Sequence, residues 1–125
     1  MSEATSLILF AHGARDPRWA APFERLQQVT QAQLPGVAVR LAFLELMTPR
    51  LPEVAAELMQ AGCKRMTVVP VFLGQGGHVL RDLPLIVTQL KADHPQLEIR
   101  VADAVGESAA VLDAMARHCI DAVAG

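Results

Sequence analysis

Five apolar residues in a row, Leu7-Ile8-Leu9-Phe10-Ala11, run straight into His12-Gly13-Ala14-Arg15-Asp16-Pro17. The same event recurs at Val68-Val69-Pro70-Val71-Phe72-Leu73, which gives way to Gly74-Gln75-Gly76-Gly77-His78-Val79. Short, unbroken apolar runs bounded by glycine loops read as strands covered on both faces, and such strands belong to parallel sheets wrapped by helices. Read this way, the two runs are central strands of such a sheet. That reading also puts a histidine immediately beyond the end of each of two central strands.

The rest of the chain keeps the strand–helix alternation, in four βα units. The first strand spans about 7–11. Asp16 then reads as a helix N-cap and Pro17 as a first-turn proline, with the helix running to about 34 and ending at Pro35-Gly36. A second strand covers about 37–44. Thr48-Pro49 repeats the cap-plus-proline signal, and a helix follows to Ala61-Gly62. The third strand spans about 66–73. The third helix begins between His78 and Pro84 and ends near Asp93, where His94-Pro95 breaks it. The fourth strand covers about 97–102. The last helix runs from about Glu107 to the end of the chain, with Val111, Leu112, Met115 and Cys119 on one stripe.

Strict alternation implies a single three-layer α/β domain over residues 1–125, a four-stranded parallel sheet with helices on both faces. Arg40 in the second strand and Glu98 and Arg100 in the fourth mark those two as edges. With right-handed crossovers the order is 2-1-3-4. The topological switch then falls between strands one and three, where such sheets bind ligands beyond their carboxyl ends. Neighbouring strands lie about 4.8 Å apart, so His12 and His78 are placed to converge on one atom.

Composition narrows the functional classes. With 125 residues, 52% of them hydrophobic, the chain suffices for one real core and is unlike a disordered sequence. A net charge of −2 provides no field for nucleic acid. No apolar run approaches the roughly 18 residues of a membrane span. The opening residues lack a basic region ahead of the first apolar run, which argues against a signal peptide and for the cytoplasm. Cys63 and Cys119 form no CxxC, so both are expected to be buried, reduced and structural.

His12 and His78 are the candidate catalytic and metal-binding pair. Imidazole is the commonest transition-metal ligand and carries protons near neutral pH. His94 and His118 read as surface residues, the latter opposite the apolar stripe of the last helix. Glu45, in Phe43-Leu44-Glu45-Leu46-Met47, is a carboxylate among apolar residues at a strand end, suited to a base or a ligand on the same edge; a solvated strand terminus is the alternative. Arg15, Arg18, Arg50 and Arg81 fall on that edge too and together suit an anionic substrate. The glycine segment matches neither GxGxxG nor a phosphate loop, and no GxSxG occurs, so nucleotide binding and serine hydrolysis find no support.

Three segments, His12-Gly13-Ala14-Arg15-Asp16-Pro17, Phe43-Leu44-Glu45 and Gly76-Gly77-His78-Val79-Leu80-Arg81-Asp82-Leu83-Pro84, resemble in order the signatures of the class II tetrapyrrole chelatases, in particular the short sirohydrochlorin cobaltochelatases. Ala14 departs from the family's usual serine and leaves the histidine in place. The resemblance implies a chelatase-like fold and insertion of a divalent ion, Co(II) first and Fe(II) or Ni(II) as alternatives, into sirohydrochlorin. It implies His12 and His78 as metal ligands or bases and Glu45 as a relay for the pyrrole protons. Substrate carboxylates then meet Arg15, Arg50 and Arg81, with Gly76, Gly77 and Leu46 beside the ring; Phe72, Leu73 and Met47 are further wall candidates. The metal is substrate, and no organic cofactor is called for. One unit supplies one wall of the cleft, so a homodimer is expected, without nucleic acid or membrane as partner. Two readings of other kinds are a histidine phosphatase, against which Ala11 stands where an arginine clamp is wanted, and a non-catalytic metal-binding protein.

Overall fold

The computed structural model describes residues 4–74 and 76–125, with the side chains of residues 77, 78 and 80 outside that description. Its strands are β1 (Thr5–Ala11), β2 (Ala38–Phe43), β3 (Arg65–Pro70) and β4 (Glu98–Val101). Its helices are α1 (Ala21–Gln33), α2 (Leu51–Gln60), α3 (Gly77–Asp93) and α4 (Ala109–Ala124). All strand pairs are parallel and the order is β2-β1-β3-β4, as the charge and apolar content of the strands require.

One face of the sheet carries most of the core. Ile8, Phe10, Ala42, Leu44, Met66 and Val68 point to it. From α2 it receives Leu51, Val54, Ala55 and Leu58, spaced at i, i+3, i+4 and i+7. From α3 it receives Val79, Leu83, Val87 and Leu90. Both spacings trace one stripe of a 3.6-residue helix. Each of the larger side chains among them, valine upward, contributes about 1.5–3 kcal/mol when fully buried. The opposite face is thinner. Leu9, Ala11, Val39, Leu41 and Phe43 form a second cluster with Ala20, Trp19 and Phe23. There α1 buries no residue completely and instead closes the free edge of β2. The Gln27 amide donates to the Val39 carbonyl at 3.0 Å, and Gln31 donates to Val37 O at 2.8 Å while accepting from Val39 N at 2.9 Å. An edge whose backbone groups are satisfied this way is no template for another strand.

Several boundaries move. Asp16 caps a single 3-10 turn, Pro17–Ala20, accepting from the Arg18 amide at 2.9 Å; α1 starts only afterwards. Thr48 and Pro49 do not open α2. Phe43 N donates to Pro49 O at 2.9 Å, so this segment is still tied to the end of β2, and the helix waits for Arg50 as N-cap and Pro52 in its first turn. The Glu53 carboxylate accepts from the Arg50 amide at 2.6 Å and completes that start. β3 ends at Pro70, after which Val71 N gives one more bond to Phe10 O, so Phe72 and Leu73 belong to the loop. α3 begins at Gly77, one residue before His78, and holds Pro84 in its interior.

Two expectations about the end of the chain are corrected. Cys63 is buried beside Ser6, 3.1 Å from its hydroxyl, but Cys119 is exposed. The reason is that the stripe of α4 meets no core: Leu112 is 48% exposed, Met115 41%, Ile120 62% and Val123 90%. His118 does not lie opposite that stripe either; it lines a shallow groove with Val111, Met115 and Cys119.

Candidate functional site at the carboxyl edge of the sheet

The loop after β1 and the segment after β2 are locked together by backbone. Leu44 N donates to Ala11 O at 2.9 Å, and Glu45 N donates to His12 O at 3.0 Å. Gly13 sits at φ 94°, and a Cβ there would lie 1.8 Å from the Glu45 carbonyl oxygen. His12 and Glu45 are therefore joined through the main chain of adjacent strands, and the glycine after the histidine is what lets them approach. The His12 ring is half-buried and rests on Phe72, with ring centroids 4.6 Å apart and planes tilted by 45°. Phe72 in turn meets Phe10 edge-on at 6.2 Å and is buried. The imidazole thus stands on a pillar of core aromatics, which fixes its plane.

The loop after β3 is held from the other side. Gly106 N donates to Phe72 O at 3.0 Å, and a Cβ on Gly106 would lie 1.9 Å from Leu73 O. Gly106 was not singled out in the sequence; its only signal is a glycine two residues after the buried Ala104, beyond the last strand. α3 follows this loop, with Gly76 as its N-cap, φ −75°, and open space where a Cβ would be. Gly77 and His78 are its first two residues, so the backbone of His78 lies on the edge that carries His12. Convergence of the two imidazoles falls outside the described residues, because the His78 side chain does.

At Leu46 the chain turns through φ 67°, a left-handed conformation that a branched residue adopts at a cost of about 1–2 kcal/mol. The side chain is also 59% exposed. Glu45 and Leu46 line different grooves on either side of this turn. Glu45 shares one of about 310 Å³ with Leu44, Arg50, Asp82, Leu85 and Ile86. Leu46 shares the other, about 350 Å³, with Ala14, Arg15, Phe43 and Met47. The structure therefore brings Glu45 to Arg50 and Leu46 to Arg15. Arg81, exposed on α3, lines neither groove and lies 3.4 Å from the Asp82 carboxylate. Arg18 is committed to Asp16 at 2.7 Å, and its guanidinium holds that carboxyl below the usual range. Leu73 is 58% exposed at the same edge, whereas Phe72 belongs to the core. Among the described residues, no three His, Cys, Asp or Glu side chains come together as a ready-made metal cage. No helix among the described residues is long and apolar enough to cross a membrane.

Solved structures share this doubly wound parallel domain and its strand order. The sirohydrochlorin chelatase SirB of Bacillus subtilis subspecies spizizenii, determined in complex with cobalt, superimposes with a TM-score of 0.81 over 94% of this chain and 50% of its own, at 20% identity, a likeness of fold. The CbiX protein of Marinobacter aquaeolei VT8 superimposes with a TM-score of 0.85 at 30% identity, over 95% of this chain and 97% of that one. The CbiX family pattern matches residues 6–122, and the chain belongs to that family. Among curated relatives, the sirohydrochlorin cobaltochelatase of Methanocaldococcus jannaschii is 29% identical over 89 residues, 71% of this chain and 62% of that protein. The protein of the same name from Sulfolobus acidocaldarius is 27% identical over 107 residues, 86% of this chain and 83% of its own. The match spans less than two thirds of the first of these relatives.

Proposed function

We propose that this chain is a sirohydrochlorin chelatase that inserts a divalent ion, cobalt first, into the macrocycle. The observation that carries the reading is the backbone lock between His12 and Glu45, which sets an imidazole and a carboxylate on abutting loops at the switch point of the sheet. Metal insertion needs a loosely held ion and an acceptor for two pyrrole protons. Neutral imidazoles suit Co(II), Fe(II) and Ni(II), and two of them, His12 and His78, leave coordination positions open for water and the incoming nitrogens. Glu45 takes the released protons. Arg50, in the groove of that carboxylate, and Arg15, in the groove on the other side of Leu46, pair with the carboxylates of sirohydrochlorin, and Arg81 serves those that reach α3. Leu46 and Leu73 offer apolar contact to the ring. Gly76, where a Cβ would meet nothing, leaves it room at the start of α3, and Gly77 follows as the first residue of that helix. The ion is substrate, and the chemistry calls for no organic cofactor.

Binding sites of this kind bury about 70–90% of their ligand. Each groove here is open on one side, so the second wall comes from a second copy, with closed two-fold symmetry. We place the reaction in the cytoplasm. The test is spectroscopic: purified protein, sirohydrochlorin and Co(II), Fe(II) or Ni(II) in turn, followed by the change in macrocycle absorbance. Acceleration over the protein-free reaction is expected. Metal binding without acceleration for any ion defeats the reading in favour of a metal carrier, and hydrolysis of an aryl phosphate in its place points to a phosphatase.

Glu45→Gln separates the roles open to the carboxylate. The amide keeps the shape but accepts no proton. Turnover is expected to fall by about 10²-fold while metal affinity holds, as for loss of a general base. A parallel fall in affinity, read by metal titration, reassigns Glu45 as a ligand, and unchanged kinetics across the pH range remove it from the mechanism.

A further inference from the structure

We infer that Leu46 is a specificity-determining residue: its side chain is an apolar knob that the rim of the macrocycle straddles, so that carboxylate arms on either side of the contact fall into separate grooves, one to Arg50 and the other to Arg15. The inference rests on the chelatase reading above and deepens it by naming how the ring is seated.

Three observations at one residue carry it. The first is the backbone. Among the described residues, Leu46 is the one residue other than glycine with a positive φ, 67°. The turn is imposed from both ends. Leu44 N and Glu45 N are bonded to Ala11 O and His12 O, and Phe43 N is bonded to Pro49 O. The chain has to double back between these anchors, whichever side chain stands at 46. Glycine takes a left-handed conformation without penalty, and asparagine takes it more readily than leucine. The second observation is burial. Leu46 is 59% exposed, so packing within the chain offsets little of the strain. An exposed leucine is ordinary, but a strained one is not, and backbone strain of this kind collects where ligands are held.

The third observation is place. Leu46 lines one groove and its neighbour Glu45 lines the other. Among the described residues, Arg15 is the only cation lining the first and Arg50 the only cation lining the second. Acids share both grooves, Glu24 with Arg15, and Glu45 and Asp82 with Arg50. Each arginine alone therefore makes its groove receptive to a carboxylate. An apolar projection between two such grooves is complementary to a rim of apolar carbon with an acidic arm on either side. A rim that lacks one of the arms leaves a groove without its partner. The fold gains little from leucine at this position; the ring gains a seat. Stability and substrate affinity should then move in opposite directions when Leu46 is changed.

The experiment compares Leu46→Gly and Leu46→Asn with wild type by thermal melt, sedimentation and steady-state kinetics with sirohydrochlorin and Co(II). Both variants should melt at or above the wild-type temperature, by up to about 5 °C, because the strain is released. Both should raise the KM for sirohydrochlorin by about tenfold, the scale of burying the exposed part of a leucine. Loss of binding that is shared by ground state and transition state leaves kcat within about threefold. Leu46→Met, which keeps both the apolar reach and the strain, should raise KM less than either. Without the knob the arms lose their register, so Arg15→Gln should raise KM by a smaller factor in the Leu46→Gly background than in wild type. A fall of several °C in the melting temperature, with or without a rise in KM, shows that the fold needs the leucine and overturns the proposal. An unchanged KM overturns it at any melting temperature. A raised KM with a smaller sedimenting mass assigns Leu46 to a contact between copies and overturns the seat. Equal effects of Arg15→Gln in the two backgrounds overturn the division of the arms. If wild type inserts no ion, the chelatase reading has failed, and absorbance titration with metal-free sirohydrochlorin still tests the knob. Binding about tenfold weaker in both variants supports it. Equal affinity, or no binding by wild type, overturns it.

Discussion

His12→Ala and His78→Ala are each expected to lower chelatase turnover by about 10²–10⁴-fold, the usual range for loss of a positioned acid–base group, with the fold intact. For His12 the structural cost is small. Its ring is half-exposed, and Phe72 beneath it remains packed on Phe10, so the variant loses one face-to-ring contact and leaves no cavity in the core. The main-chain bond from Glu45 N to His12 O does not depend on the side chain, so Glu45 stays where it is. A drop in turnover therefore reports the imidazole itself. If the two histidines hold the ion together, each single variant also weakens metal binding, and the double variant does little further harm, because half a site already fails. His94→Ala, at the C-cap of α3, is the control and should match wild type. Near-normal turnover with unchanged metal binding in either single variant removes that histidine from the site. The measurement is the absorbance assay run beside a metal titration and a thermal melt.

The architecture was legible because burial is written in runs. Ile8 and Phe10 face one helix layer while Leu9 and Ala11 face the other, so β1 has no polar position to show, and only a central parallel strand reads that way. Arg40, Glu98 and Arg100 identify the edges for the converse reason. Helix starts were less legible. Thr48-Pro49 carries the same local signal as a true helix start, but its backbone is still engaged with β2 through Phe43, a long-range bond that no local pattern encodes. The amphipathic pattern of α4 was plain in the sequence, but its stripe meets no core in the structure, and burial of Cys119 was wrongly inferred from the pattern alone.

For the site, the sequence named residue types at strand ends, and topology did the rest. His12, Glu45, Arg50 and the start of α3 share an edge because parallel strands all end on the same side. That Arg50 shares a groove with Glu45, and Arg15 a different one with Leu46, follows from the left-handed turn at Leu46, and nothing in Leu44-Glu45-Leu46-Met47 announces a positive φ at a leucine. The support of His12 by Phe72 was equally hidden. Phe72 reads as the tail of a strand, and only the departure of the chain from β3 at Pro70 turns it beneath the imidazole.

Gly13→Ala is expected to be the most damaging small substitution in the chain, losing stability and activity together. Two costs add. The backbone at φ 94° is unfavourable for any L-residue by about 1–2 kcal/mol. The new Cβ would also stand 1.8 Å from the Glu45 carbonyl oxygen, which is main chain and has no rotamer to turn aside. Either the loop after β1 or the segment after β2 must retreat, breaking the Glu45 N to His12 O bond that joins them. A total of about 3 kcal/mol is a reasonable scale for backbone strain with a lost buried bond. In a domain of this size that lowers Tm by roughly 10 °C. Gly62 separates the two costs. It too has a positive φ, 97°, but a Cβ there meets nothing within 4 Å. Gly62→Ala should therefore show only the conformational part, a loss of about 1 kcal/mol, and full turnover. Thermal melts of the two variants with the absorbance assay give the comparison. If Gly13→Ala melts no lower than Gly62→Ala and keeps its turnover, the loops bearing His12 and Glu45 are not held by this contact, and their shared role in one site loses its structural basis.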